Sequence, residues 1–184
     1  MAAAHLPWPA PAVYVLEIMR HIISILLQNE AGALARVAGM FSARGYNIES
    51  LTVAPTHDAT LSRLTLVTTG SEQVIDQIIK QSRKLVDIVE IADLTSREHL
   101  ESELLMLKVE VDAASARKLI ECVRQHRAMI LDETETTRTV QFAGPGAEVN
   151  AFLAAVAAIG RMLELVRSGT AALESGAAVL APPA

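Results

Sequence analysis

The chain has 184 residues, enough for one compact domain or two small ones, and its 51% hydrophobic and 20% charged residues exclude a disordered tail protein. Sixteen Lys and Arg against 21 Asp and Glu leave a formal charge of −5, with no basic footprint for nucleic acid, and aromatics at 3% supply no stacking platform for single strands. A single cysteine, Cys122, cannot form an internal disulfide, so a reduced cytoplasmic setting is expected, and no apolar run reaches membrane-spanning length.

Residues 1–18 are apolar but lack a basic start and are interrupted by Pro7, Pro9 and Pro11; they read as a dispensable extension, with Met19 as an alternative start, rather than a secretory signal. Residues 21–27 are a strand apolar on both faces, hence central. A polar turn at 28–32 opens a helix whose apolar stripe is Leu34, Val37, Ala38 and Phe41, and Gly45 fits its left-handed stop. Strands follow at 48–54 and 61–69 around a turn at 55–60. A helix from Ser71 through Lys84 carries the apolar pairs Val74/Ile78 and Ile75/Ile79, and a strand is expected at 85–94. The order is βαββαβ, the ferredoxin-like α+β motif, assigned to residues 19–95.

Residues 96–100 are polar and read as a linker, after which the order repeats over 101–170. A strand at 103–111 leads to a helix at 114–126 with Leu119, Ile120 and Val123 inward; strands at 129–135 and 137–143 form a hairpin. A helix at 146–159 turns Val149, Phe152, Leu153 and Val156 inward, and a strand at 162–167 closes the unit. Residues from Ser168 are rich in Ala, Gly, Ser and Pro and are expected to fray, with 171–184 as a tail. Domains this small bury a limited share of their surface, so dimerisation is expected to add stability.

Little in the sequence suggests catalysis. No nucleophile elbow, P-loop or dinucleotide fingerprint occurs, and Gly144-Pro145-Gly146 reads as a strand-to-helix turn. Cys122 and His126 fall on neighbouring turns of one helix, but they flank an apolar stripe and no second ligand pair has metal-site spacing. Asp132, Glu133 and Glu135 beside Arg138 read as a solvated charged turn. The informative stretch is 28–48. Asn29 to Gly32 sit where a central strand meets a helix start, whose N–H groups and dipole favour an anion such as the carboxylate of an amino acid. A carbonyl near Asn47 would accept from its ammonium, and Leu34 and Ile48 would line an aliphatic pocket. The alternative is that Asn29 caps the helix and Gly32 eases packing.

Asn29-Glu30-Ala31-Gly32-Ala33-Leu34, the run 44–51, and the runs 53–56 and 61–63 together resemble the small regulatory subunit of acetolactate synthase, or acetohydroxyacid synthase. The resemblance continues at 81–89, 140–144 and 164–169. It implies an ACT domain followed by a second ferredoxin-like domain, two ACT domains side by side in a homodimer, and L-valine as feedback inhibitor bound at their interface. Carried over by position, Asn29, Gly32, Ala33 and Leu34 come from one protomer and Asn47 and Ile48 from the other. It further implies no catalysis, metal or cofactor in this chain. Thiamine diphosphate, Mg and FAD would sit on the large catalytic subunit, which this chain would activate in branched-chain amino-acid synthesis. Two rivals are a stand-alone amino-acid sensor acting on transcription or another partner, for which the sequence shows no basic face, and a small ferredoxin-like enzyme.

Overall fold

The computed structural model describes residues 19–183, and the extension expected at 1–18 lies outside the described residues. In chain order the elements are β1 (Met19–Gln28), α1 (Ala33–Ala43), β2 (Ser50–Pro55), β3 (Leu61–Gly70), α2 (Glu72–Ser82) and β4 (Ile88–Asp93). Then come β5 (His99–Glu110), α3 (Ala113–Gln125), β6 (Met129–Glu133), β7 (Thr137–Gly144), α4 (Gly146–Ala157), β8 (Arg161–Arg167) and β9 (Ala171–Glu174). The sheets run β2-β3-β1-β4 and β6-β7-β5-β8, the ferredoxin-like strand order twice, with every pairing antiparallel.

Each sheet has its own core. Ile23, Ile25 and Leu27 of β1 and Leu64 and Leu66 of β3 pack under Val37, Met40 and Phe41 of α1 and Ile75 and Ile78 of α2. Leu105, Leu107 and Val109 of β5 pack under Leu119, Cys122 and Val123 of α3 and Val149, Phe152 and Val156 of α4. Two inward faces differ from the periodicity reading. Leu34 is 38% exposed and Ala33 takes its place inside; Ile120 is 38% exposed and Cys122 is buried instead. In α1 apolar residues occupy much of the girth, so several helical stripes fit the sequence and the packing selects one; in α3 the stripe is turned by one position toward Cys122. The last strand of the first unit starts at Ile88, because Leu85 to Asp87 form a turn that sends the Asp87 carboxylate inward and leaves Val86 exposed.

Part of the expected linker and part of the expected fraying tail are strand, while 96–98 remain a turn and 175–183 carry no regular element. His99 and Leu100 already belong to β5, whose first four residues pair with β9, while the rest of the strand pairs with β7 and β8. Ala172 of β9 is 5% exposed and packs with Ile22, Val67, Ala92 and Leu94 on the helix-free face of the first sheet. This explains why β1 is apolar on both faces: one meets the helices, the other this strap. The small Ala side chains that suggested disorder are what allows so close an approach. Arg63 donates to the Ala172 carbonyl (3.2 Å), Thr52 to the Ser168 carbonyl (2.9 Å), and Arg20 pairs with Glu101 (3.0 Å). Truncation after Gly169 is therefore expected to cost about 2 kcal/mol by uncovering apolar side chains, read as a lower midpoint in urea.

Candidate functional site

The loop between β1 and α1 is built by backbone. Gln28 N–H donates to the Asp87 carbonyl (2.8 Å) and Asn29 N–H to the Thr60 carbonyl (2.7 Å). The Asn29 side chain donates to the Ala59 carbonyl (2.9 Å), so it latches the loop to the β2–β3 turn. It does not cap α1, which has Gly32 at its N-cap with φ +87° and no side-chain cap or first-turn acid. The helix start is thus open toward solvent, with the dipole and amide arrangement that attracts anions.

One cation stands over it. Arg36 is clamped by Asp87 through Nε–Oδ2 at 2.5 Å and Nη2–Oδ1 at 2.6 Å. The Asp87 side chain is 3% exposed and that of Arg36 is 47% exposed, so the pair reaches from the interior to the surface. The hydrogen bonds from Arg36 hold the Asp87 carboxyl below its ordinary range, against the opposing effect of desolvation. The same bonds raise Arg36 further, with a smaller contribution from Glu30. A Cβ placed on Gly32 would lie 2.8 Å from Arg36 Nη1, so the glycine leaves the space that the guanidinium uses.

Asn29, Gly32, Ala33 and Leu34 are therefore grouped at one end of the first sheet. Asn29, Gly32 and Leu34 are exposed; the Ala33 side chain points into the core, leaving its backbone for the site. Asn47 and Ile48 lie elsewhere. The Asn47 carbonyl accepts from the Thr68 hydroxyl (2.6 Å), and Ile48 packs half-buried against the first core. Thr60 beside Asn29 and Thr68 beside Asn47 are separated by the length of β3, roughly 25 Å at the usual rise per strand residue. The structure does not bring the two groups together within one chain. Between them runs β2, the edge strand of the sheet, with Val53, Ala54 and Pro55 exposed.

The sequence reading missed Arg36 and Asp87. A carboxylate at position 87, inside an otherwise apolar run expected to be strand, was the available signal. A cavity of about 930 Å³ lies elsewhere, between the helix-free face and the strap, lined among others by Leu26, Leu61, Arg63, Leu173 and Leu180. It includes none of the six residues above; burial lowers the Arg63 pKa there. Cys122 is buried with its thiol pushed up by desolvation, and the His126 ring packs 5.3 Å from Phe152. Glu133 pairs with Arg138 at 2.9 Å in the exposed hairpin. Among the described residues, no helix is long and apolar enough to cross a membrane.

Two ferredoxin-like units, the first with an open glycine helix start and a free edge strand, define an ACT-type regulatory protein. The family model for the AHAS small subunit-like ACT domain matches residues 23–90, and that for the small subunit of acetolactate synthase matches 102–176. The chain is 46% identical over 158 residues to the acetolactate synthase isozyme 3 small subunit of Salmonella typhimurium, covering 86% of this chain and 97% of that protein. It is 36% identical to a probable acetolactate synthase small subunit of Archaeoglobus fulgidus, covering 86% and 98%. A crystal structure of the Thermotoga maritima small subunit superposes with a TM-score of 0.80 at 28% identity, covering 87% of this chain and 99% of that one. The chain belongs to the acetolactate synthase small-subunit family, regulatory subunits of an enzyme of branched-chain amino-acid biosynthesis.

Proposed function

We propose that this chain is a cytoplasmic, non-catalytic subunit that activates the large catalytic subunit of acetolactate synthase and makes it sensitive to L-valine bound between two copies of the first domain. The observation that carries the reading is the separation of the site's two halves. Asn29 to Leu34 and Asn47 to Ile48 lie at opposite ends of β3, beside a free edge strand. A two-fold axis through the β2 edges would set each half against the complementary half of the partner and generate two equivalent sites. In that arrangement the α1 amide groups receive the valine carboxylate. The Asn47 side-chain oxygen, or its backbone carbonyl beside the bond from Thr68, accepts from the ammonium. Leu34 and Ile48 contact the isopropyl group. Thiamine diphosphate, Mg and FAD belong to the catalytic subunit in this reading. Valine changes activity only by binding the inhibited arrangement more tightly than the active one, a coupling typically of about 1–3 kcal/mol.

The test is thermal unfolding of the full chain with L-valine, D-valine, L-leucine, L-isoleucine or L-serine. Ligand at about 100 times its dissociation constant adds roughly 2.7 kcal/mol, so a rise of several degrees with L-valine alone is the expected outcome. Equal shifts with L-serine, or none with any amino acid, would remove the effector site from this chain. A stand-alone sensor is distinguished by purification from its native source without the catalytic subunit.

A further inference from the structure

We propose that Arg36, anchored by Asp87, is the cationic arm that selects the effector's carboxylate, an inference that rests on the effector reading above. Two of the three guanidinium nitrogens, Nε and Nη2, are spent on the two oxygens of Asp87. The third, Nη1, lies over Gly32 where any other residue would place its Cβ. Among the described residues, no acceptor is recorded for Nη1. The bidentate clamp fixes the plane of the group, so a carboxylate arriving at the α1 amides meets donors already in position and little side-chain freedom is lost.

The placement of the charges, rather than their sum, favours an anion at the helix start. Asp87 offsets the guanidinium formally, but its carboxylate is buried on the far side of the arginine, with both oxygens engaged. The face turned to Gly32 carries Nη1 and the start of the helix dipole, with no side-chain cap and no first-turn acid. Glu30, on the same loop, is exposed and is the one carboxylate besides Asp87 that bears on Arg36. Gly32 thereby has two roles: it adopts a left-handed φ, and it leaves room for the arm.

A plain structural role, in which the pair only ties the 85–87 turn to α1, predicts something different, and the ligand's own charge separates the two. Calorimetric titration of the full-length chain with L-valine and with L-valinamide, which keeps the ammonium and the side chain but loses the carboxylate charge, is the experiment. The wild-type chain is expected to bind valine about tenfold or more tightly than valinamide. The double variant Arg36→Gln/Asp87→Asn removes both charges, so no buried carboxylate is left unpaired. It is expected to lose about tenfold in valine affinity with valinamide affinity little changed, while sedimentation gives the wild-type assembly size. A double variant that still prefers valine as the wild type does would overturn the assignment and leave the pair a tie. Should that variant fail to fold, Asp87→Asn alone keeps the cation but frees it; a several-fold loss confined to valine supports the arm, and unchanged affinity for both ligands overturns it. A wild-type chain that binds neither ligand defeats the effector reading itself, and this inference with it.

Discussion

Gly32→Asp is expected to abolish inhibition of the holoenzyme by valine at every concentration that inhibits the wild type. Three effects act in the same direction. Gly32 has φ +87°, a left-handed conformation that costs an L-residue roughly 1–2 kcal/mol. Its Cβ would fall 2.8 Å from Arg36 Nη1, forcing the guanidinium aside. The new carboxylate would then occupy the anion position from within the chain and draw Arg36 to itself. Activity of the reconstituted holoenzyme with and without valine reads the effect, and co-sedimentation with the catalytic subunit separates it from misfolding. Valine inhibition of normal depth in this variant would place the effector elsewhere.

The second large effect is in the other domain. Phe152 is fully buried on α4, 5.1 Å from the Phe142 ring and 5.3 Å from that of His126. Phe152→Ala is expected to cost about 3–5 kcal/mol, because the cluster of three rings cannot collapse into the space left behind. In a domain of this size that corresponds to a fall of roughly 12 °C or more in the melting temperature, measured by calorimetry. A loss under about 1 kcal/mol would mean that α4 is not held by this contact.

The order of elements was legible because strand and helix periodicities alternate cleanly, and β1 declared itself central by being apolar on both faces. The region of the proposed site rests on Asn29, Gly32 and the run around Asn47. Its geometry was not legible. Asn29 reads equally well as a cap until its amide is seen on the Ala59 carbonyl, in the β2–β3 turn. Arg36 and Asp87 lie 51 residues apart in the chain, and pairwise contacts over such distances leave no local pattern. The strap failed for a related reason. Four residues, Ala171–Glu174, carry too short a pattern to read, and they become a strand only because β5 extends backward to meet them.

The strap also imposes an order on biosynthesis. When the first domain has left the ribosome, Ile22, Val67 and Leu94 have no cover on the helix-free face, since the residues that cover them are Ala172 and Leu180. At about 5–20 residues per second the interval between Leu94 and β9 is roughly 4–15 s, longer than the folding time of most small domains. During it the nascent chain presents an apolar sheet face that any neighbouring chain can reach. The second domain must fold, and deliver the last strand back across the first, before that exposure ends; a chain truncated within α4 would keep the whole first domain with this apolar face open.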